Sequence, residues 1–223
     1  RAEIRAAVVS VEPQIVHCHH PYLLGATGLH MAARRHLPAV FTYHTRYEYY
    51  THYLLEQSET LQHFVVSLAT GFCNLVDHVI APSESIRDLL RDRGVQTDIT
   101  PIPTGVNLEE YAGGDGAAFR EREGLPQDAF ICGIVSRLAP EKRLDAVLDA
   151  ARALPETRFI IAGDGPLRDY VKEAAAALPN TEYRGWVDRS RLTGLLDESE
   201  ILVLPSSEEA FGTEAIEAMA RAH

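Results

Sequence analysis

The chain has 223 residues, 46% of them hydrophobic and 24% charged, an ordinary globular composition with room for one large or two modest domains. Its formal net charge of -11 is uneven: residues 1–105 hold eight basic and ten acidic side chains, residues 106–223 thirteen and twenty-two. That balance excludes broad non-specific binding to nucleic-acid phosphates and leaves space only for a localised basic site. No apolar run reaches the roughly 18–20 residues needed to span a bilayer, and no signal-peptide pattern is read at the start. The three cysteines, Cys18, Cys73 and Cys132, lie in apolar surroundings without a CxxC pair. They are expected to be small buried hydrophobes in a reducing compartment.

In chain order, "RAEIRAAVVSVEPQIVHCHH" reads as a helix end running into a strand, so the sequence is expected to begin inside a domain. The strand "QIVHCH" leads to "HCHHP". His17 and His19 share one strand face and Cys18 points to the other. Two readings stand: a zinc site using His17, His19 and His20, or strand-end histidines lining a pocket. The strand "AVFTYH" places His44 at its end, where a donor to a substrate hydroxyl or phosphate belongs. The alternative is a satisfied structural histidine. In "YHTRYEYYTHYLL", Tyr47, Tyr50 and Leu54 share a helical face that could meet a lipid or sugar acceptor, or form half-buried core.

Next come the strand "HVIAP", a helix over "SESIRDLLRDRG" with Ser83 as N-cap and Gly94 past its end, and the strand "ITPIPTG". The stretch "PIPTGVNLEEYAGGDGAAF" carries Pro101, Pro103, Gly105, Gly113, Gly114 and Gly116, a density of turn formers that marks a boundary. The expected division is a first unit over 1–104, a linker over 105–116 and a second unit over 117–223.

The second unit opens with "FICGIVS", followed by "RLAPEK". Arg137 and Lys142 leave a strand end and enter a helix start, a pattern suited to an anion. A solvated charge pair is the alternative. "EKRLDAVLDAARAL" puts Leu144, Val147, Leu148, Ala151 and Leu154 on one helical stripe. After "RFIIAG", Gly163 and Gly165 permit a tight turn and close backbone approach. The pattern is not GxGxxG, so the dinucleotide fingerprint is missing. "TEYRG" and "ILVLP" complete eight strands. In "SSEEAFGTEAIEAMARAH", Phe211, Gly212 and Thr213 stand at a helix start, with Glu209 just before it and Glu217 one turn inside. A carboxylate accepts hydrogen bonds from both hydroxyls of a sugar diol. Paired acids flanking a phosphate-binding helix start therefore suit a sugar nucleotide. The alternative is that Glu209 favours the helix dipole and Glu217 is an exposed helix acid.

Buried apolar strands alternating with helices predict parallel sheets in an α/β fold. Ligands of such sheets bind beyond the carboxyl ends of the strands, and two units facing each other would form a cleft.

Taken together, "TYHT", "APS", "IPTGV" (Thr104 stands where Asn is usual), "SRLAPEKRLD", "IAGDGP", "RGWV" and the E-x7-E pair Glu209 and Glu217 resemble glycosyltransferase family 4. These are retaining enzymes of the GT-B fold, with two Rossmann-like parallel-sheet domains facing a cleft. Both domains would be incomplete here. The segment "HHPYLLGATGLHMAARRHLPAVFTYHTRYEYYTHY" is most like the branch that glucosylates diacylglycerol.

The resemblance implies roles at matching positions. Arg137 and Lys142 would neutralise the donor diphosphate, Glu217 would bind the ribose, and Glu209 would contact the transferred sugar. Backbone at Phe211, Gly212 and Thr213 would help, as would the turn at Gly163. The backbone near Val187 would receive the nucleobase. His44 would lie beside the sugar and diphosphate from the opposite domain, with Tyr47 and Tyr50 toward the acceptor. The donor would be UDP-glucose or a GDP-mannose type, and the acceptor a lipid such as diacylglycerol. No cofactor or metal is expected, and the sequence holds no Asp-x-Asp. The family's N-terminal glycine-rich loop, its basic membrane-docking helix and everything after the E-x7-E helix find no counterpart. The chain is thus expected to be an inactive fragment of an enzyme located in the cytoplasm, with peripheral membrane contact through other segments. Two other classes remain open: a different GT-B sugar-nucleotide enzyme such as an epimerase, and a non-catalytic nucleotide-sugar or metal-binding module.

Overall fold

A computed structural model describes residues 6, 10–49, 58–111, 116–207 and 209–221. The chain forms two compact units, Arg1–Thr104 and Gly105–His223.

The first unit is a four-stranded parallel sheet in the order β1-β2-β3-β4: Val16–Cys18, Ala39–Thr42, His78–Ala81 and Ile99–Pro101. The register pairs Val16 with Ala39, Val40 with His78 and Val79 with Ile99. Parallel neighbours require crossovers, and helices α1 (Leu24–Arg35), α2 (Glu59–Cys73) and α3 (Glu84–Asp92) supply them. Ser83 Oγ accepts from the Ile86 N–H at the start of α3, and Gly94 follows its end at φ 89°. Phe41, Val79 and Ala81 on the strands and Leu90 on α3 are fully buried. Each strand is shorter than the run that predicts it, and exposed His19 and His44 lie just past the ends of β1 and β2.

The second unit opens with a single helical turn, α4 (Leu108–Tyr111), then α5 (Gly116–Glu123). The residues whose composition reads as a linker are therefore in part structured, and Tyr111 is only 4% exposed. Gly113 and Gly114 lie outside the described residues. Strands β5 (Ile131–Val135), β6 (Arg158–Ala162), β7 (Thr181–Gly185) and β8 (Ile201–Leu202) form a parallel sheet ordered β7-β6-β5-β8. Helices α6 (Leu144–Ala153), α7 (Arg168–Ala176), α8 (Arg189–Glu198) and α9 (Thr213–Met219) complete it.

Alternation along the strands feeds two cores. Cys132, Ile134, Phe159 and Ile161 join Leu144, Val147, Leu148 and Ala151 of α6 and Val171 of α7. Ile131, Ile160 and Ala162 join Phe119 of α5 and Leu195 of α8. Both faces of β5 and β6 are thus covered, which is why these strands read as continuous apolar runs. Each fully buried Leu or Ile contributes about 1.5–3 kcal/mol of transfer free energy. Two polar clamps hold the unit's edges. Asn180 Nδ2 donates to the carbonyls of Ala151, Leu154 and Thr157, closing the end of α6. Buried Arg120 pairs with Glu198 and Glu200 and donates to the carbonyls of Pro126 and Ala129.

All three cysteines are buried with free thiols. Burial pushes each thiol up from its ordinary range, Cys73 to about 12, so they act as inert hydrophobes.

Candidate functional site

The second sheet reverses direction at β5. The chain steps outward through β6 and β7, then returns to place β8 on the other side of β5. At such a switch the loops leaving the carboxyl ends of two adjacent strands diverge and open a crevice for a ligand. Here those loops carry Arg137 and Lys142 after β5, and Glu209 through Thr213 after β8.

Lys142 ends a short 3-10 turn, Pro140–Lys142, entered through extended Ala139. Its Nζ lies 2.5 Å from Glu209 Oε1 and 3.4 Å from Glu214 Oε1. Burial alone would lower the ammonium pKa. The hydrogen bond to Glu209 and the charges of Glu214 and Glu209 outweigh it and hold Lys142 above its ordinary value. The cation is therefore charged at neutral pH and neutralised by two carboxylates. Arg137 leaves the same strand end with its side chain exposed. Gly212 caps α9 at φ 79°, a left-handed conformation that favours glycine, and the space beside its α-carbon is open. Phe211 and Thr213 flank it, half-buried.

Glu217, one turn into α9, is not a free surface acid. Tyr111 donates its phenol proton to Glu217 Oε1 at 2.5 Å. Burial, the bond to Glu217 and that carboxylate's charge push the phenol up to about 12. Sequence reasoning missed Tyr111 because it lies in the stretch whose glycines and prolines mark a boundary. It also missed Glu214, whose pairing with Lys142 joins residues 72 positions apart.

Gly163 follows β6 at φ 145°, and a Cβ there would stand 1.8 Å from the Ser136 carbonyl oxygen. The turn after β6 thus presses on the start of the Arg137 loop. The Gly163 N–H donates to Gly185 O at 2.7 Å, joining the ends of β6 and β7. Val187, just past β7, is half-buried against the core of Phe119 and Leu195.

In the first unit, His44 is exposed just past β2, and its Nε2 lies 2.9 Å from His19 Nδ1 just past β1. The two rings stack at 5.2 Å, and His17 lies 4.1 Å from His19 with its Nε2 2.7 Å from Thr42 Oγ1. Burial first, then the neighbouring imidazoles, lower the pKa values of His17 and His44. Cys18 is buried between them, as the strand alternation requires. His20 turns away to pack edge-on against Tyr22 and Tyr47. Among the described residues, no three His, Cys, Asp or Glu side chains are grouped to hold a metal ion, so the zinc reading of His17, His19 and His20 finds no ligand set.

Tyr47 does not lie on an exposed helical stripe. It sits in a 3-10 turn over 47–49, is 7% exposed, and packs edge-on against Tyr22 and Tyr43. Its ring is packed in the core. Tyr50 and Leu54 lie outside the described residues.

Two family models cover almost the whole chain: Glycosyltransferase Family 4 over residues 1–110 and Glycosyl transferases group 1 over residues 115–222. An alpha-monoglucosyldiacylglycerol synthase of Streptococcus pneumoniae is 29% identical over 218 residues, which is 92% of this chain and 49% of that protein. A D-inositol 3-phosphate glycosyltransferase of Streptomyces scabiei is 31% identical over 225 residues, 92% of this chain and 50% of that protein. The chain thus spans about half the length of these relatives. Among solved structures, HepE of Anabaena in complex with UDP and glucose matches with TM-score 0.79 and 21% identity, over 98% of this chain and 60% of that one. Sucrose-phosphate synthase of Thermosynechococcus elongatus matches with TM-score 0.80 and 23% identity, over 98% and 56%. With two parallel-sheet α/β units and both family models in order along it, the chain belongs to the GT-B glycosyltransferases, family 4 in its first half and group 1 in its second.

Proposed function

We propose that the protein carrying this chain transfers a hexose from a nucleotide sugar to a lipid acceptor with retention of anomeric configuration. One observation carries the reading: a charged, half-buried lysine, Lys142, set at the topological switch of the second sheet and matched there by Glu209 and Glu214. A diphosphate entering this crevice offers Lys142 stronger acceptors than the carboxylates it now holds. Glu209, released, is then available to the hydroxyls of the transferred sugar. Arg137 adds a second cation from the same loop, and the space beside Gly212 is open.

The chemistry follows from charge. As the anomeric C–O bond breaks, the electron pair moves to the leaving diphosphate, and Lys142 and Arg137 stabilise the developing charge. The acceptor hydroxyl attacks the anomeric carbon on the face the diphosphate leaves. Its proton passes to a phosphate oxygen of the leaving group. The cationic task falls to these side chains, so we assign no metal or cofactor. We assign Glu217 to the ribose, the Val187 backbone to the base and His44 to a substrate hydroxyl or phosphate. A UDP-glucose type of donor is supported by the names of the relatives, a synthase of monoglucosyldiacylglycerol and a structure holding UDP and glucose; GDP-mannose is the rival. Diacylglycerol is the acceptor class favoured by the same relatives. The lipid product in the names of these relatives supports a place for the protein at the membrane surface, on the cytoplasmic side. No described helix is long and apolar enough to cross a membrane.

The test is transfer of radiolabelled sugar to a lipid extract by the full-length protein, scanned across nucleotide sugars. Loss of transfer in Lys142→Ala and Glu209→Ala supports the assignment. Normal transfer in both variants overturns it.

A further inference from the structure

The phenol of Tyr111 is fixed from three directions. Asn107 sets its helical turn: Oδ1 accepts from the Glu109 N–H at 3.2 Å, and Nδ2 donates to Glu110 Oε1 at 3.1 Å. The guanidinium of Arg189 on α8 covers the ring at 5.2 Å and pairs with Glu110. Buried Arg221, just past α9, donates to the Tyr111 carbonyl and pairs with Asp197 on α8. The ring is packed, the backbone is tied, and the one free torsion of the hydroxyl is taken by Glu217 Oε1.

A carboxylate on a helix side chain turns freely about its last torsion unless something holds it. To accept two vicinal hydroxyls it must present its oxygens in one orientation. The Tyr111 bond uses one lone pair of Oε1 and leaves Oε2 whole. We propose that Tyr111 is a positioning residue for Glu217, locking the orientation in which that carboxylate reads the two hydroxyls of the nucleoside ribose. This rests on the assignment of Glu217 to the ribose. It adds a claim about selectivity: the phenol makes the site prefer a ribonucleotide over a deoxyribonucleotide. A mere packing role for Tyr111 predicts no such preference, because phenylalanine keeps the ring.

The test is calorimetric titration of the full chain with UDP, GDP and their 2′-deoxy counterparts, in wild type, Tyr111→Phe, Glu217→Gln and the double variant. The expected result is a loss of about tenfold in ribonucleotide affinity for Tyr111→Phe, the scale of one charge-assisted hydrogen bond. Its preference for the ribo over the deoxy form should shrink toward one, and the double variant should bind no worse than Glu217→Gln alone. If Glu217→Gln erases the preference while Tyr111→Phe keeps it, positioning by Tyr111 is overturned and the ribose assignment stands. If Glu217→Gln leaves the preference intact, or wild type binds neither nucleotide, the ribose assignment falls and this inference with it. Thermal melts of each variant show whether folding is matched. A Tyr111→Phe chain that melts lower yet keeps wild-type preference also counts against the inference.

Discussion

Lys142 and Glu209, 67 positions apart in the chain, meet at 2.5 Å between Nζ and Oε1. The bond joins the loop after β5 to the loop after β8, the two strands at which the sheet changes direction. Its side chains are only partly withdrawn from water, 12% and 32% exposed. An ion pair in that setting adds little to stability, about 1 kcal/mol or less. The proposed role of Lys142 toward a diphosphate therefore asks little of the fold in return.

From this, Lys142→Ala should cost about 10²–10³-fold in transfer rate, the scale of removing one group that stabilises developing charge. Stability by urea unfolding should change by only about 1 kcal/mol. A variant that loses several kcal/mol along with activity would make Lys142 a structural residue instead.

Tyr111 carries a pH signature. Its phenol is raised to about 12 in the folded chain from an ordinary value of 10.0, by burial and then by Glu217. A raised folded pKa means the contribution to stability is complete below pH 10, and it is lost as pH rises through about 12. Glu217→Gln should bring one tyrosine ionisation back toward 10, read as ultraviolet absorbance of phenolate against pH. An unchanged titration curve would count against the bond.

The clustered imidazoles of the first unit are shifted in the opposite sense. His17 and His44 lie below their ordinary value of 6.5, from burial and from neighbouring histidines. A lowered pKa in a base means the unfolded chain takes up protons first. The contribution to stability is present above 6.5 and falls away on acidification through the folded values. His19→Asn removes one neighbouring charge, so it should raise the His44 titration midpoint followed by NMR. A midpoint that stays put would show that His19 and His44 are not coupled.

Among the described residues of the second unit, Arg120 is the most heavily partnered buried charge, bonded to the carboxylates of Glu198 and Glu200 and to three carbonyls, those of Pro126, Ala129 and Glu198. Arg120→Ala strands those acceptors and should destabilise the chain by about 3–5 kcal/mol in urea unfolding. A loss under 1 kcal/mol would mean water replaces the guanidinium without penalty.

Gly163→Ala meets two obstacles, the φ of 145° and the carbonyl of Ser136 at 1.8 Å from the added carbon. The backbone has to shift, at about 1–3 kcal/mol, and the shift is passed to Ser136 and Arg137. Nucleotide affinity should fall with stability. Full affinity in a destabilised variant would separate that turn from the site.

How much of this was legible beforehand differs by level. The eight strands and the stripe of Leu144, Val147, Leu148 and Ala151 follow from periodicity, because which face is buried is a local property of strands and helices. Leu154, expected on the same stripe, is instead the C-cap and is 52% exposed, because the helix ends before it. Ser83 and Gly94 announced the limits of α3 for the same reason, since a cap is made by residues a few positions away. The candidate site was half legible. Arg137, Lys142, Glu209 and Glu217 stood out as charged residues beside strand ends and helix starts, but their partners did not. That Lys142 would sit between Glu209 and Glu214, that Tyr111 would cap Glu217, and that His19 would stack on His44 are contacts across long loops. No local pattern encodes them.

What the sequence determined by itself is therefore the alternation of buried strands and amphipathic helices, and with it two parallel sheets. What only the tertiary structure decided is the placement of β8 beside β5, and every pairing that this placement makes possible. The physical reason is range. Burial and capping act over a handful of residues, while an ion pair or a hydrogen bond between loops depends on the path of all the chain that lies between them.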